Sequence, residues 1–275
     1  MGGLLFGTAG VPRSAWPPST IGGIERIAEL GLGCMEIEFV QGVKMGETAA
    51  RLVGEAAIRT GVRLSAHAPY YINLNSDDME KVRASQSRIL QTARIASLCR
   101  AENVVFHPAF YMGRPPEEVY STVKNYLGEI LDQLERERIQ VCIRPEVTGK
   151  GSQFGTIEEL VNLSAELEGV ALCLDFSHWH ARTGKFNSYP EFEAVLLQMR
   201  QRLGEAALEN MHIHVSGISY GKKGELKHLN LGESDFQYRE LLRVLKDYDV
   251  KGMVICESPN LEEDALRLQA TYNSL

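Results

Sequence analysis

The sequence lacks the features that mark membrane, secreted and dinucleotide-binding proteins. No apolar run reaches the roughly 18 residues that a membrane-spanning helix needs. The N-terminus has neither the basic region nor the apolar stretch of a signal peptide. No Gly-x-Gly-x-x-Gly follows the first apolar segment, and this absence removes the simplest reason to predict an open sheet that binds a dinucleotide. We therefore expect a soluble, cytoplasmic protein with no membrane partner, and no sequence feature points to an obligate protein partner.

Cysteine and surplus positive charge are also scarce. The five cysteines show no C-x-x-C spacing, and four of them, at positions 34, 142, 173 and 256, lie in apolar segments, which predicts buried free thiols. The formal net charge of −7 argues against a broad nucleic-acid footprint, because phosphates are bound by surplus Lys and Arg. Bound divalent cations would change that balance locally.

What the sequence does have is an eightfold alternation of short apolar runs and amphipathic stretches. The predicted strands are Leu4–Thr8, Cys34–Phe39, Arg63–His67, Asn103–His107, Gln140–Glu146, Val170–Asp175, Asn210–His214 and Met253–Glu257. The predicted helices are Ile21–Leu30, Glu47–Thr60, Met79–Leu98, Pro116–Arg136, Ile157–Leu167, Tyr189–Leu203, Phe236–Tyr248 and Leu261–Tyr272. Eight such units in 275 residues predict one α/β domain over residues 1–275, a single (β/α)8 TIM barrel.

A metal-capable side chain stands at the end of six of these runs. The residues are His67, His107, Glu146, Asp175, His214 and Glu257, and His178 follows three positions after Asp175. The carboxyl ends of barrel strands meet at one face, so these groups are expected to gather there. Unpaired buried carboxylates cost several kcal/mol by the usual estimates, and histidines are too weakly charged at neutral pH to balance three of them. A divalent metal ion at the C-terminal face of the barrel is therefore the simplest partner for these carboxylates.

Two other features bear on this face. Arg144 lies on the same side of its strand as Glu146 and could instead pair with Glu36 or Glu38 inside the barrel, which would leave less need for metal. The connection from Val215 to Ser234 is predicted to be a long loop with a functional role, because it follows His214 directly. His212 and His180 are expected to lie outside the set of ligands.

Mixed histidine and carboxylate ligation suits Zn²⁺, Mn²⁺ or Fe²⁺. Seven or eight ligands are too many for one ion. Two ions bridged by a carboxylate can activate a water and hold both the attacking and the leaving oxygen of a phosphodiester. Hydrolysis of a phosphate ester is therefore the chemistry that the ligand set favours.

Eight short segments of the sequence form an ordered set of motifs. They are His67–Leu74 (HAPYYINL), Val105–Pro108 (VFHP), Pro145–Gly149 (PEVTG), Gly151–Gly155 (GSQFG), Cys173–His178 (CLDFSH), His212–His214 (HIH), His228 with Leu231–Glu233 (LGE), and Ile255–Ser258 (ICES). Each segment is weak alone, but their joint order is specific. In this order they resemble the endonuclease IV family of apurinic/apyrimidinic endonucleases, which are metal-dependent TIM barrels that cut DNA beside a missing base.

The resemblance implies a ligand set, a substrate and a reaction. His67, His107 and Glu146 would hold one zinc, with Glu146 bridging to a second zinc on Asp175, His214 and Glu257, and His178 and His228 would hold a third. Two or three Zn²⁺ ions, or Mn²⁺ in their place, would act on double-stranded DNA and cut it 5′ of an abasic site. Glu146 and Glu257 are the predicted catalytic residues, and the predicted substrate-binding residues are Gln41, Lys44, Tyr70 and Asn73.

Three positions depart from the family's pattern. The family has an aspartate where this chain has Leu226, so the third site lacks a ligand unless Glu225 replaces it. The loop from Phe39 to Thr48 lacks the family's DNA-inserting arginine and offers only Gln41 and Lys44. Ser234 stands where the family has a second glycine.

A second interpretation remains open. The xylose isomerase-like sugar isomerases and epimerases hold a single metal, and Glu146, Asp175, His214 and Glu257 fit that pattern too. The partner would then be a small sugar, with Glu146 and Glu257 exchanging a proton beside a carbonyl. This interpretation does not explain His67 and His107. A non-catalytic, metal-stabilised binding protein is a third, weaker hypothesis, because barrels rarely need metal for stability.

Overall fold

The alternation seen in the sequence produces twelve strands in residues 3–275, which the computed structural model describes. The strands are β1 (Leu4–Ala9), β2 (Cys34–Glu38), β3 (Arg63–His67), β4 (Asn103–Phe106), β5 (Ala109–Phe110), β6 (Cys142–Pro145), β7 (Gln153–Phe154), β8 (Cys173–Asp175), β9 (Met211–Val215), β10 (Gly217–Gly221), β11 (Gly224–Leu229) and β12 (Gly252–Cys256). Four predicted helices and the predicted strand Arg63–His67 have the predicted bounds, and the other predicted elements shift by up to three residues.

Ten α-helices accompany these strands in the described residues. They are α1 (Thr20–Glu29), α2 (Glu47–Thr60), α3 (Met79–Leu98), α4 (Pro116–Arg136), α5 (Ile157–Glu166), α6 (Phe176–Thr183), α7 (Tyr189–Leu203), α8 (Ala206–Glu209), α9 (Tyr238–Asp247) and α10 (Glu262–Ser274). None of the helices in residues 3–275 is both long enough and apolar enough to cross a membrane.

Eight parallel strands form the barrel, in the order β6-β4-β3-β2-β1-β12-β9-β8. The two edges of this sheet meet, since the Val147 amide donates to the Cys173 carbonyl at 3.0 Å and the Ala171 amide donates to the Ile143 carbonyl at 3.1 Å. The prediction of a (β/α)8 TIM barrel is therefore confirmed.

The prediction that residues Val215 to Ser234 form a long loop is wrong. The segment forms an antiparallel hairpin of β10 and β11, followed by a short 3-10 turn at Leu231–Glu233. Lys222 and Lys223 form the two-residue turn between the paired glycines Gly221 and Gly224, and Gly224 has a positive φ of 98°. Two-residue connections of this kind are typical of hairpins because they match the twist of the strands. The sequence analysis also missed helix α6.

The apolar core lies mainly between the outer face of the barrel and the helices. Alternation along each strand sends one set of side chains outward, and residues such as Phe6, Leu64 and Val104 pack there against the helices. Inside the barrel a separate, small apolar group consists of Cys34, Met253 and Ile255 with Leu5 and Ala9 beside it. Much of the rest of the interior is polar.

Arg144 lies low in this interior and does not pair with Glu36 or Glu38, so that predicted pairing is wrong. Its guanidinium donates to Asn103 Oδ1 at 2.6 Å, to the Leu172 carbonyl at 2.9 Å and to the Asn210 carbonyl at 2.8 Å. All three acceptors lie near Arg144, below the strand-end acids. Glu36 and Glu38, which lie higher in the interior, therefore have other partners.

We expect the substitution Arg144→Met to lower the free energy of unfolding by about 3 kcal/mol, because two buried acceptors and one partly buried acceptor lose a charged donor. Urea denaturation followed by circular dichroism measures the change. The matched control is Arg63→Met, which removes the half-exposed ion pair between Arg63 and Glu102 and should cost under about 1 kcal/mol. Equal losses in the two variants would contradict this account of Arg144.

Candidate metal centre

The strand ends bring seven acids and imidazoles to the C-terminal mouth of the barrel. Interior-facing positions alternate along each strand, so Glu38, His67 and His214 face inward at the upper ends of β2, β3 and β9. His107, Glu146 and Glu257 directly follow β4, β6 and β12, and Asp175 is the last residue of β8. The structure thus brings together every side chain that the sequence analysis named as a metal ligand, with His178 and His228 supplied by α6 and β11.

Glu146 lies at the centre of this group. Its Oε2 is 3.2 Å from His67 Nε2 and 3.0 Å from His107 Nε2. Its Oε1 is 3.2 Å from His178 Nδ1 and 3.4 Å from His214 Nδ1. The side chain is 1 % exposed. One carboxylate therefore stands between two separate sets of imidazoles, with one oxygen toward each.

Asp175 positions His178 through the start of a helix. Its Oδ1 accepts a hydrogen bond of 2.6 Å from the His178 amide, which caps α6 and satisfies one of the amides that a helix leaves free at its N-terminus. The His178 ring lies against the acids, and its Nδ1 is 3.2 Å from Asp175 Oδ2. A single aspartate thus shapes the backbone and contributes an oxygen to the cluster.

Several buried polar atoms in the cluster form no well-oriented hydrogen bond, although imidazole nitrogens lie close to them. They are Glu146 Oε1, Asp175 Oδ2, Glu257 Oε2 and His214 Nδ1. Buried polar atoms are nearly always satisfied, and one left without a partner costs about 1 to 3 kcal/mol. Nitrogen and carboxylate oxygen donors that converge in this way suit Zn²⁺ or Mn²⁺, so the residues present fit a divalent cation.

Below the cluster, Glu36 connects two histidines. Its Oε2 is 2.9 Å from His212 Nε2 and accepts a 2.7 Å hydrogen bond from the Ser65 hydroxyl, while its Oε1 is 2.9 Å from His214 Nε2. The other nitrogen of His214 faces Glu146 and Glu257. Carboxylates behind a metal-capable imidazole fix its orientation. His212 lies beneath His214 as expected, and His180 lies in α6 beside Asp235, 3.3 Å away.

One of the four predicted substrate-binding residues lines the cleft, and the other three do not. Tyr70 lines the open cleft of about 390 Å³ above the cluster. Asn73 is engaged in loop structure, because its Oδ1 accepts from the Asn75 and Phe110 amides at 3.1 and 3.2 Å. Gln41 and Lys44 lie on the loop after β2, and neither of them lines the cleft. Their roles remain predictions.

Sequence reasoning did not assign Lys150, Gln153 or Glu38 to the site. Lys150 and Gln153 line the cleft, and the Gln153 side-chain oxygen is buried without a partner. Lys150 lies between β6 and β7, and Gln153 begins the two-residue strand β7, so no periodic pattern marks either residue. Glu38 had a detectable signal, since Glu36 and Glu38 alternate with apolar residues at the end of a predicted strand.

Burial and the charges of neighbouring groups raise the pKa values of some residues in the cluster and lower those of others. Burial raises the pKa of Asp175 and of Glu38 to about 8. Burial also raises the pKa of Glu146, but His107, His214 and His178 outweigh it and hold that pKa well below its usual range. Burial lowers the pKa of His67, yet its hydrogen bond to Glu146 and the charge of Glu38 raise it to about 10. Protons thus supply the positive charge that a bound cation would otherwise provide.

The relation of this chain to known proteins agrees with the barrel fold. A family model described as a xylose isomerase-like TIM barrel matches residues 24–273. The chain belongs to the xylose isomerase-like TIM barrel family. An uncharacterized protein of Methanocaldococcus jannaschii is 47% identical to it over 273 residues, which cover 99% of this chain and 98% of that protein.

Other proteins that resemble the chain have two kinds of name. A probable endonuclease 4 of Mycoplasma pneumoniae is 24% identical over 201 residues, covering 70% of this chain and 67% of that protein. Endonuclease IV from Thermus thermophilus superposes with a TM-score of 0.76 at 20% identity, covering 99% and 98% of the two chains. A D-tagatose 3-epimerase-like protein superposes with a TM-score of 0.72 at 19% identity, covering 97% and 96%. Both solved structures share the fold of this chain.

We expect the thermal midpoint of the chelator-treated protein to fall as pH rises from 7 to 10. His67, Asp175 and Glu38 have folded pKa values of about 10, 8 and 8, all above their usual values. A raised folded pKa stabilises the protein below the unfolded pKa, and this contribution is lost as pH rises through the folded value.

Differential scanning calorimetry in EDTA measures the effect. The variant Glu38→Gln is the matched control and should show a shallower decline, because one of the raised carboxyl pKa values is gone. A midpoint that stays level from pH 7 to 10 in the unsubstituted protein would argue against the protonated cluster.

Proposed function

We propose that the protein is a divalent-metal-dependent phosphodiester hydrolase that cuts double-stranded DNA on the 5′ side of abasic sites. The position of Glu146 carries this proposal, because its two oxygens face different imidazole sets, with His67 and His107 on one side and His178 and His214 on the other. A carboxylate placed in this way is suited to bridge two cations. The similarity to proteins named endonuclease 4 supports the same choice.

The donor set suits Zn²⁺, with Mn²⁺ as the alternative. Such ions, when bound, lower the pKa of water and neutralise the charge of a phosphate. In this proposal His67, His107 and Glu146 would bind one ion, and Asp175, His214 and Glu257 would join Glu146 at a second. This proposal assigns the catalytic role to Glu146 and Glu257, and Glu36 keeps the His214 ring aimed at them.

The mouth of the cleft offers contacts for a large anionic ligand. The Tyr70 side chain belongs to a residue that is 58 % exposed, and Tyr71 beside it is 71 % exposed. Exposed aromatic rings can stack on bases or on the edge of a gap in a duplex. Lys150 lines the same cleft and supplies a cation at the level of the acids. We assign Tyr70 to the nucleotides beside the abasic sugar and Lys150 to a phosphate.

Sugar epimerisation is the second candidate, and one observation favours it. Ligand atoms of Glu146, Asp175, His178 and Glu257 all lie within 4.8 Å of one another, which suits a single cation and two carboxylates for proton exchange. A D-tagatose 3-epimerase-like protein shares the fold. His67 and His107 would have no role in this reaction, so we rank it second.

A duplex with one abasic analogue tests the two candidates. Incubation with the Zn²⁺- or Mn²⁺-loaded protein should give a single nick 5′ of the lesion and leave the undamaged duplex intact. Ketoses incubated in deuterated water should show no exchange at the carbon beside the carbonyl. Deuterium exchange without nicking, under conditions in which a known endonuclease IV cuts, would replace the hydrolase with the epimerase.

We expect Glu146→Gln to abolish nicking while the circular dichroism spectrum stays unchanged. The loss should exceed the roughly 10- to 100-fold that removing an outer partner of a metal ligand costs, because both imidazole sets lose their shared carboxylate. Gel-based nicking rates give the measurement. The exposed Glu118→Gln, in α4, is the matched control and should keep full activity. Full turnover in Glu146→Gln would rule out the bridging role.

A further inference from the structure

The Gln153 side chain is a buried amide that faces the cleft. Gln153 is 7 % exposed, and it lines the cleft together with residues such as His107 and Lys150. It is the only amide among the described residues that line this cleft. Its Oε1 atom has no hydrogen-bond partner. Buried polar atoms are nearly always satisfied in native proteins, so this oxygen is placed to meet a ligand.

The strand that carries Gln153 sets the direction of its side chain. Gln153 and Phe154 form β7, which pairs antiparallel with β5. Phe154 is fully buried, and the centroid of its ring lies 6.1 Å from that of Tyr111 and 6.4 Å from that of Tyr120. Neighbouring side chains on a strand point to opposite faces. The apolar contacts of Phe154 therefore turn Gln153 toward the cleft.

The loop that leads to β7 closes beside Glu146. The Thr148 amide donates to the Gly155 carbonyl at 3.0 Å, which joins the two ends of the loop. Gly155 has a φ of 128°, and a Cβ on this residue would lie 2.8 Å from the Glu146 carbonyl oxygen. Only glycine allows so close an approach in this conformation. Gln153, two residues before the closure, is therefore held near the central carboxylate of the site.

One arginine of α6 holds this loop in place. The Arg182 guanidinium donates to the Thr148 side-chain oxygen at 2.8 Å, to the Lys150 carbonyl at 2.7 Å and to the Gln153 carbonyl at 2.9 Å. The backbone amide of Gln153 donates to the Lys150 carbonyl at 3.0 Å. Both backbone polar groups of Gln153 are thus satisfied, and its side chain is left to bind a ligand. Arg182 acts on the cleft through this loop.

The amide of Gln153 can both donate and accept a hydrogen bond, so it pairs well with a group that does the same, such as a hydroxyl. Within an intact DNA strand the deoxyribose has no free hydroxyl, because its C3′ and C5′ oxygens are esterified and its C1′ carries the base. Loss of the base leaves a hydroxyl at C1′. An abasic sugar therefore differs from an intact one by a group that an amide binds.

We propose that Gln153 recognises the C1′ hydroxyl of an abasic deoxyribose and that Arg182 positions it for this contact. The inference rests on the proposed function, because it names the group by which the cleft distinguishes an abasic sugar from an intact one. In the complex Gln153 Oε1 accepts a hydrogen bond from the hydroxyl, and Nε2 donates one to the hydroxyl oxygen. A sugar without this hydroxyl excludes water from Oε1 without pairing it, which weakens binding.

Two duplexes that differ only in this hydroxyl test the proposal. One has an abasic deoxyribose made by removing uracil with a glycosylase, and the other has a tetrahydrofuran analogue, which keeps the sugar ring but has no oxygen at C1′. The unsubstituted, Zn²⁺-loaded protein should cut the first with a kcat/KM about 10- to 100-fold higher, the usual effect of one buried polar group left unpaired. Only breaks on the 5′ side of the lesion are scored, which excludes spontaneous elimination on the 3′ side.

Gln153→Met should lower this ratio of kcat/KM values to about 1, because methionine has a similar length but no amide. Gln201→Met, at an exposed position of α7, is the matched control and should keep the full ratio. Arg182→Met leaves Gln153 in the chain and should also lower the ratio, because the loop is no longer held. General damage to the site slows the cutting of both duplexes equally and leaves the ratio unchanged. Circular dichroism verifies that each variant is folded.

The outcomes separate this inference from the proposed function. Equal kcat/KM values on the two duplexes for the unsubstituted protein, or an unchanged ratio in Gln153→Met, refute the role of Gln153 and keep the hydrolase. A full ratio in Arg182→Met refutes the positioning role of Arg182. No cleavage of either duplex, under conditions in which a known endonuclease IV cuts both, refutes the hydrolase and this inference with it.

Discussion

The need to balance buried negative charge governs the upper half of this barrel. Glu36, Glu146 and Asp175 are essentially inaccessible to solvent, and Glu38 and Glu257 lie among them. Carboxylates in such surroundings must be neutralised or paired, because burial removes the hydration that stabilises their charge. The structure supplies histidines rather than lysine or arginine as their partners. An imidazole that releases its proton offers the same nitrogen atom as a ligand for a cation. The histidines that balance the buried acids are therefore also able to bind a metal ion.

The barrel separates this polar interior from the packing that stabilises the fold. Apolar side chains on the outer face of the strands pack against the helices, while the interior holds a column of contacts that runs from Arg144 through Asn103 to His212, Glu36 and His214. Each of these groups has a polar neighbour, so the orientation of His214 is set from below. Residues at the strand ends can therefore serve binding and chemistry while the outer layer maintains the fold.

The hairpin is where this chain departs most from the endonuclease IV pattern that its segments otherwise resemble. Leu226 occupies the position where that pattern has an aspartate, and its side chain is exposed. Glu225, one residue earlier, points the opposite way along the strand, because neighbouring side chains alternate across it. Its Oε2 lies 3.6 Å from His178 Nε2.

The eight strands, most helices and the set of metal-capable residues could be predicted from the sequence, because period-two and helical patterns record which faces are buried. The alternation also located His67, Glu146 and Asp175 at strand ends, and parallel strands that close into a barrel must bring such ends together. The partners of Arg144, the link from Glu36 to His214 and the placement of Glu225 were decided only by the tertiary structure. Those contacts join residues far apart in the chain, and they depend on the stagger of neighbouring strands and on the close approach of Gly149 to Gly224, which no local pattern encodes.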